Sequence, residues 1–290
     1  MKPCKKFLIV TNTSKDLGQK CAKKLMETIT AYGHKAEIHV GDSTDTLTHI
    51  SAHKMAGVDC VITLGGDGTM LRVSHAIEGT GLPMIGVNLG TVGFLTEVVS
   101  AKIDEMVHRL IIGDYDIEER MMLSGRIFEK SGAAGFESGD EIHALNDIVL
   151  AREDALQLIS VKIFLNGNYF DTTEADGMLV STPTGSTGYN LSAGGPIVNP
   201  GAKLLVLTPI SPYSLSRRSI VFGSDDKITL ELVQKRENGE NAGIASFDGY
   251  HNVHMKVGDY VEVSASEEKL RLIKLDSSSV YQILRKKLGG

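Results

Sequence analysis

Two patterns of apolar and polar residues divide this chain of 290 residues. In the first part, short apolar runs end at polar or glycine-containing turns, which is typical of buried strands in a parallel sheet. Four such runs predict strands at 6–10, 36–40, 58–64 and 83–87. Between them, apolar residues recur every three or four positions, which predicts amphipathic helices. The clearest examples are Leu17, Cys21, Leu25, Ile29 and Tyr32, ending at Gly33, and Ile103, Met106, Val107, Leu110 and Ile111.

The order of these elements predicts how they are arranged. The polar turn 11–14 offers an N-cap for the first helix, and the polar segment 44–56 predicts a less regular helix. Four strand–turn–helix units in a row favour a parallel sheet with right-handed crossovers. Loops that follow parallel strands share one edge of the sheet, where ligands bind. We therefore expect the glycine-containing turns at 65–69 and 88–94 to face one crevice.

From residue 116 onward the apolar residues alternate with a period of two. Turn residues at 166–168, 225–226 and 256–259 separate these segments, which predicts antiparallel hairpins. Residues 131–139 are rich in Gly, Ala and Ser and predict a loop. The predicted fold is an α/β N-terminal domain with a parallel, Rossmann-like sheet (1–115), followed by a β-rich antiparallel C-terminal domain (116–277). A helical pattern at the end of the chain (278–290) is predicted to pack back on the first domain.

The composition and charge of the chain argue against some classes of binding partner. The chain is 42% hydrophobic and carries a net charge of -6, without a Lys/Arg block of the size expected for nucleic acid or an anionic membrane. We therefore expect neither partner. Three scattered cysteines, Cys4, Cys21 and Cys60, predict buried thiols in a reducing compartment. With no apolar run of membrane-spanning length, these features predict a cytoplasmic protein.

The first candidate for chemistry is the turn Gly-Gly-Asp-Gly-Thr at 65–69, directly behind a predicted buried strand. The segment 69–76 lacks Gly and Pro, so a helix can begin there with unpaired amides facing the turn. Such a helix start behind a glycine-rich loop is a site for anions such as phosphate. The carboxylate of Asp67 would repel a phosphate, which indicates chemistry rather than binding alone. The alternative is an ordinary turn, because these residues also tolerate positive φ.

Two stretches of the second domain are unusual for a plain sheet. Asn146 and Asp147 interrupt an apolar strand, and such buried polar groups need partners, either a ligand or a neighbouring polar group. The stretch 176–196 leads from an apolar strand into a loop of hydroxyl-bearing residues and glycines whose one large ring is Tyr189. Backbone amides, hydroxyls and a stacking surface suit a nucleotide. A long surface loop is the alternative.

These residues together resemble the NAD kinase family. That family combines Gly-Gly-Asp-Gly-Thr, an Asn-Asp or Asn-Glu pair at the start of a strand, and Ser-Thr-Pro-Thr-Gly-Ser-Thr-Ala-Tyr after another strand. Here the motifs stand at 65–69, 146–147 and 181–189, with further likeness at 86–97 and 246–249. Gly-Gly-Asp-Gly-Thr alone is shared with lipid kinases and 6-phosphofructokinases, whereas the three motifs in this order are specific. Gly188 departs from the usual Ala, and Tyr250 from the usual Gln or Arg.

The resemblance implies a phosphoryl transfer from ATP or polyphosphate to the 2′-hydroxyl of the adenosine ribose of NAD, giving NADP. It implies that Asp67 is the base or orienter for that hydroxyl, and that a divalent cation, Mg²⁺, bridges donor oxygens without dedicated protein ligands. The implied phosphate-donor loop consists of Gly65, Gly66, Gly68 and Thr69. The implied substrate-binding residues are Asp67, Gly68, Arg72, Phe94, Asn146, Asp147, Asp176, Thr187, Gly188, Tyr189, Asn190, Leu191 and Ser192. Arg72 is expected to point the same way as Asp67.

Family likeness also implies a homo-oligomer, a dimer or a tetramer. Two other functions remain open at this point. A lipid kinase of the same superfamily would need an apolar acceptor cavity or a basic membrane face. A dinucleotide sensor without turnover would have no use for the Asp67 carboxylate among phosphates.

Overall fold

The computed structural model describes residues 1–41, 44–90, 93–131, 135–154, 157–234, 242–276 and 285. The chain forms two compact units, Met1–Arg120 with Lys269–Gly290, and Met121–Glu268. Apart from Arg285, the predicted C-terminal helix at 278–290 lies outside the described residues. Within the described ranges, no helix combines the length and the apolar character that a membrane span requires.

The first unit alternates strands and helices, as predicted. Its elements are β1 (Lys6–Asn12), α1 (Lys20–Ala31), β2 (Lys35–Gly41), α2 (Thr44–Thr48), α3 (Ala52–Met55), β3 (Cys60–Gly65), α4 (Asp67–Ala76), β4 (Met84–Asn88), β5 (Val98–Val99) and α5 (Ile103–Ile112). The strands β2, β1, β3 and β4 pair in this order, and all of these pairs are parallel. The core packs the apolar faces of α1 and α5 on the sheet, as the amphipathic stripes predict.

The start of α1 differs from the prediction. The helix begins at Lys20, so Leu17 lies outside it in a separate 3-10 turn, where its side chain is exposed. The cap comes from Asp16 rather than from the turn 11–14, because the Asp16 carboxylate accepts the backbone N–H groups of Cys21 and Ala22. The segment 44–56 forms two short helices, α2 and α3, instead of one.

The second unit is built from antiparallel strands. The chain enters it along β6 (Asp116–Ser131) and leaves it along β17 (Tyr260–Lys274). Between them lie β7 (Gly135–Ala144), β8 (Asp147–Arg152), β9 (Ile159–Leu165), β10 (Asn168–Ala175), β11 (Gly177–Ser181), α6 (Tyr189–Ser192), β12 (Leu204–Ile210), β13 (Ile220–Gly223), β14 (Ile228–Val233), β15 (Ala242–Phe247) and β16 (His251–Lys256). One sheet has the order β13-β12-β11-β8-β15-β16, and the other contains β10, β9, β14 and β17. Their apolar side chains form one core.

The predicted hairpin turns have different roles. Asn166 and Gly167 have positive φ and join β9 to β10, so this hairpin is confirmed. The turns at 225–226 and 256–259 instead carry the chain from one sheet to the other, because β13 and β16 belong to the first sheet and β14 and β17 to the second. The predicted loop 131–139 is wrong in part, since residues 135–139 belong to β7 and pair with β6. Small residues are tolerated on this exposed strand because no core has to be filled there.

Candidate functional site

The Gly-Gly-Asp-Gly-Thr turn connects β3 directly to α4. Gly66 is the N-cap, and its carbonyl accepts the N–H groups of Thr69 and Met70. A Cβ on Gly65 would lie 2.4 Å from Thr69 Oγ1, so Gly65 is required for packing within the turn. A Cβ on Gly66 or Gly68 would meet nothing within 4 Å. These two glycines therefore leave the helix start open to an approaching group.

The Asp67 carboxylate is held by backbone amides of a second loop. Its Oδ2 accepts the N–H of Phe94 at 2.7 Å, and its Oδ1 accepts the N–H of Leu95 at 2.9 Å. Hydrogen bonds from two backbone amides to its two oxygens fix the orientation of the carboxylate. Gly93 makes this contact possible, because a Cβ there would lie 1.8 Å from Asp67 Oδ1.

The two glycine-containing turns of the first unit lie side by side, as predicted from the sheet edge. Gly65 and Asn88 are register partners at the ends of β3 and β4. The buried side chain of Asn88 donates to Thr96 Oγ1 at 3.1 Å and accepts from the N–H of Gly90 at 2.6 Å. No local sequence pattern predicts this network, because Asn88 ends β4 and Thr96 lies eight residues further along the chain. Residues 91 and 92 of this turn lie outside the described residues.

Arg72 does not share a face with Asp67, contrary to the expectation. Both lie in α4, and five helical residues correspond to a rotation of about 140° around the axis. Arg72 follows Gly68 by four residues and therefore lies on the same side as the open start of the helix. Its guanidinium makes no hydrogen bond or ion pair with any residue that the structure describes.

The two unusual stretches of the second unit are in direct contact. Asn146 carbonyl oxygen accepts the N–H of Thr182 at 2.9 Å, and Thr182 Oγ1 donates to Leu145 O at 2.6 Å. Gly185 packs against the same backbone, since a Cβ there would lie 2.1 Å from Asn146 O. The structure thus brings Asn146 and the Ser-Thr-Pro-Thr-Gly loop together, although the sequence separates them by more than 30 positions.

Asp248 organises the start of β8, a role that sequence reasoning missed. It occupies the turn of the β15–β16 hairpin with a positive φ of 51°. Its carboxylate accepts the backbone N–H groups of Leu145 at 2.6 Å, Asn146 at 2.7 Å and Asp147 at 3.1 Å. The Asp-Gly dipeptide at 248–249 signals a turn, but the identity of these three donors depends on the pairing of β15 with β8.

Asp147 is a buried carboxyl group at this point. Burial, and next the negative charge of Asp248, raise its pKa to about 7. Its side chain accepts no hydrogen bond from the residues that the structure describes. A buried carboxyl without a partner is costly unless it is protonated or meets a ligand. Asp147 can therefore accept a hydrogen bond from a hydroxyl or amino group when it is ionised. When it is neutral, it can donate a hydrogen bond.

The loop after β11 presents some side chains and uses others internally. Tyr189 and Ser192 are exposed, while Thr187, Gly188 and Leu191 are half-buried. Asn190 is fully buried. Its amide nitrogen donates to Ser186 O and Pro196 O, and its oxygen accepts from Thr208 Oγ1 at 2.7 Å. Asn190 therefore holds the loop in shape, and Tyr189 offers the ring surface.

Asp176 lies at the other end of β11. Its Oδ1 forms an ion pair with Arg152 Nε at 3.1 Å, and both side chains are partly exposed. Arg152 therefore neutralises a carboxylate that was expected to contact a substrate. The predicted site residues fall into two groups, one in each unit: residues 65–72 with Phe94, and residues 146–147 with 176 and 187–192.

Among the described residues, no group of three or more His, Cys, Asp or Glu side chains is arranged to bind a metal ion. Mg²⁺ commonly binds to one or two carboxylates together with substrate phosphates, so it does not require such a cage.

Comparisons with known proteins show the family of this chain. Two family models match, the ATP-NAD kinase N-terminal domain at residues 5–115 and the ATP-NAD kinase C-terminal domain at residues 145–275. The chain is 35% identical to an NAD kinase of Lachnoclostridium phytofermentans over 98% of this chain and 99% of that protein. It is 36% identical to an NAD kinase of Lachnospira eligens over 98% of this chain and 100% of that protein.

Solved structures show the same fold. Yeast NADH kinase complexed with NADH superposes with a TM-score of 0.85 at 22% identity, covering 100% of this chain and 88% of that one. An NAD kinase from Archaeoglobus fulgidus in complex with ATP gives a TM-score of 0.75 at 22% identity, with 98% of both chains covered. The family matches favour an NAD kinase over a lipid kinase. With both family models matched across most of its length, the chain belongs to the ATP-NAD kinase family.

Proposed function

We propose that this protein transfers the terminal phosphoryl group of ATP to the 2′-hydroxyl of the adenosine ribose of NAD, forming NADP. The observation that carries this proposal is the Asp67 carboxylate, fixed by the amides of Phe94 and Leu95 beside an open helix start. A site for anions that also holds an oriented carboxylate suits transfer of a phosphoryl group better than binding alone.

Asp67 acts on the acceptor hydroxyl. Each of its oxygens accepts one backbone N–H and keeps further acceptor capacity, so a ribose hydroxyl can donate to it without displacing the loop. That hydroxyl is too weak an acid to ionise at neutral pH. A fixed carboxylate therefore orients it and takes its proton late in the transfer, when the new P–O bond is forming.

The phosphates of ATP bind at the start of α4 in this proposal. Gly66 and Gly68 leave room for a phosphate to approach the backbone, and Arg72 supplies a guanidinium with donors suited to phosphate oxygens. Gly65 and Thr69 shape the turn. Mg²⁺, when bound with the phosphates, neutralises charge that develops on the donor oxygens.

The adenosine part of NAD binds to the second group of residues. Asn146 and Asp147 offer polar contacts to the base or ribose, and the ring of Tyr189 offers a stacking surface. Thr187, Gly188, Leu191 and Ser192 form the loop around it, held by Asn190. We propose that Phe94 contacts the adenine and that Asp176 takes part in binding through its exposed edge, next to its ion pair with Arg152.

A cytoplasmic homo-oligomer is proposed for the assembled enzyme. Sedimentation of the purified protein tests the oligomeric state, and a dimer or tetramer is expected.

The reaction is tested with purified protein, NAD, ATP and Mg²⁺, with the product measured by an NADP-specific dehydrogenase. Parallel reactions with polyphosphate and with NADH identify the donor and the range of acceptors. Diacylglycerol and a sphingoid base serve as lipid acceptors. NADP formation that requires ATP supports the proposal. Phosphorylated lipid would support a lipid kinase, and NAD binding without turnover would support a sensor.

A further inference from the structure

We propose that Thr96 is a positioning residue for the phosphoryl transfer, because its hydroxyl fixes the loop that orients Asp67. The inference rests on the proposed function and adds to it a buried side chain that acts through Asp67. Thr96 comes directly after Phe94 and Leu95, whose amides bind the Asp67 carboxylate. Since the side chain of Thr96 is buried, its hydroxyl needs partners within the protein.

The Thr96 hydroxyl accepts hydrogen bonds from two separate parts of the loop. The N–H of Gly93 donates to Thr96 Oγ1 at 3.2 Å, and Asn88 Nδ2 donates to the same oxygen at 3.1 Å. Asn88 ends β4, and its own Oδ1 accepts the N–H of Gly90 at 2.6 Å. The hydroxyl therefore ties the loop to the end of β4, which lies beside β3, the strand that leads to Asp67.

Three consecutive backbone amides are shared between Thr96 and Asp67. The N–H of Gly93 is bound by Thr96, whereas those of Phe94 and Leu95 are bound by the two oxygens of Asp67. A Cβ on Gly93 would lie 1.8 Å from Asp67 Oδ1, so the backbone of Gly93 lies close to the carboxylate as well. Because Thr96 holds the N–H of Gly93, the carboxylate keeps acceptor capacity for the ribose hydroxyl.

The far end of the loop is held without the hydroxyl. The N–H of Glu97 donates to Gly86 O at 3.0 Å, and the Glu97 carboxylate forms an ion pair with Lys274. A Cβ on Gly86 would lie 3.1 Å from Thr96 Cα, so this end of the loop packs closely on β4. Loss of the hydroxyl should therefore leave the loop on the sheet and release only the amides of residues 93–95.

Release of these amides should affect turnover more than substrate binding. Displacement of a reacting group by about 1 Å can cost about 10²-fold in rate, and these amides set the position of Asp67. The other proposed contacts of ATP and NAD lie at the start of α4 and in the second unit, where Thr96 makes no hydrogen bond among the described residues. The expected result is a lower kcat with nearly unchanged KM values.

Two pairs of proteins isolate the hydroxyl in the full chain. Thr96→Val replaces the hydroxyl of the unmodified chain by a methyl group, and Thr96→Ser differs from Thr96→Ala only by a hydroxyl. Initial rates are measured with NAD, ATP and Mg²⁺. We expect kcat of Thr96→Val and Thr96→Ala to fall about 10- to 100-fold, while Thr96→Ser stays within about threefold of the unmodified chain. The KM for NAD should change by less than about threefold in all three variants.

Thr63→Val is the matched control. Thr63 is also buried, in β3, and its hydroxyl has no hydrogen-bond partner among the described residues, so this variant should keep its turnover. Amide hydrogen exchange gives a second measurement that does not depend on turnover. A peptide that contains residues 93–95 should exchange faster in Thr96→Val and Thr96→Ala than in Thr96→Ser and Thr63→Val.

The outcomes separate this inference from the proposed function. Absence of NADP from the unmodified chain would refute the proposed function and this inference with it. If the unmodified chain forms NADP, then normal turnover in Thr96→Val, or a kcat of Thr96→Ser as low as that of Thr96→Ala, would overturn the role of Thr96 alone. A loss that appears in the KM for NAD rather than in kcat would also overturn it. If a variant of one pair fails to fold by circular dichroism, the other pair decides.

Discussion

The negative charge of Asp248 acts on the buried carboxyl of Asp147, although 101 positions separate the two residues in the sequence. Asp248 accepts the N–H of Asp147 at 3.1 Å and returns its own N–H to Asp147 O at 3.0 Å. The same contact that positions Asp147 thus makes its ionisation harder. The charge of Asp147, in the proposed adenosine site, therefore changes with pH near neutrality.

Asp147→Asn should remove a pH-dependent part of the stability. The pKa of Asp147 in the folded protein is about 7, above the value of about 3.9 for an unfolded carboxyl. The folded state therefore holds the extra proton between these values. The stabilisation is fully present below pH 4 and is lost as pH rises to 7, by up to about 1.4 kcal/mol per pH unit. Denaturant unfolding between pH 5 and 8 measures this loss.

The free energy of unfolding of the unmodified chain should therefore fall between pH 5 and pH 8, whereas that of Asp147→Asn should not show this fall. Relative to the unmodified chain, the variant should be more stable at pH 8 than at pH 5. Asp225→Asn is the control, because it removes an equal charge from an exposed side chain of the same unit. A stability difference for Asp147→Asn that does not change with pH would contradict the raised pKa.

Asp248→Asn should loosen the start of β8. The asparagine oxygen can still accept the N–H groups of Asn146 and Asp147, but its NH₂ group would face the N–H of Leu145. We expect a loss of about 2 kcal/mol in the free energy of unfolding, since hydrogen bonds to charged groups are lost. The KM for NAD should rise, and the pKa of Asp147 should fall because a negative charge is gone. If the KM for NAD and the pH dependence of stability were both unchanged in Asp248→Asn, Asp248 would not have the proposed role at the start of β8.

Asp67→Asn should lower turnover far more than NAD affinity. Loss of a general base typically costs about two to four orders of magnitude in rate, whereas the affinity for NAD should stay within a few-fold. Initial rates and calorimetric NAD binding on the same preparation measure both. Because one amide of the 94–95 pair loses its acceptor, a stability loss of about 1 kcal/mol is also expected. Near-normal turnover would remove Asp67 from its proposed role.

Gly93→Ala should displace Asp67 without changing its chemistry. The added Cβ would lie 1.8 Å from Asp67 Oδ1, so the carboxylate or the loop must move. Misplacement of a reacting group by about 1 Å can cost about 10²-fold in turnover. Gly90→Ala is the matched control in the same loop, since its Cβ would meet nothing within 4 Å. Equal turnover in the two variants would show that the Asp67 contact is not needed for catalysis.

Gly185→Ala should separate the loop after β11 from Asn146. Its Cβ would lie 2.1 Å from a backbone carbonyl, and backbone at this point is tied to Thr182 and Asp248. We expect a destabilisation of about 1–3 kcal/mol and weaker NAD binding. Gly188→Ala is the control, because its nearest contact is 3.2 Å and related motifs carry Ala there. Thermal unfolding and NAD titration should distinguish the two variants. Similar losses of stability and of NAD affinity in both would show that the close packing of Gly185 on Asn146 is not required.

The strand and helix pattern could be predicted where each segment carries its own signal. Apolar runs such as those of β3 and β4 read as buried strands, and the stripes of α1 and α5 read as helices. Errors arose where a boundary depends on a single contact. Leu17 fits the helical spacing, but the Asp16 cap starts α1 three residues later. The Gly-rich segment 135–139 forms a strand because β6 supplies its partner.

By itself the sequence determined the fold class and the three motifs, because periodicity and turn chemistry are local properties of the chain. The tertiary structure alone decided which groups hold those motifs. Asp67 is bound by amides 27 and 28 positions away, and Asp248 by amides more than 100 positions away. Such partners meet only because β3 lies beside β4, and β8 beside β15. Strand order depends on packing of the whole core, which no single segment encodes.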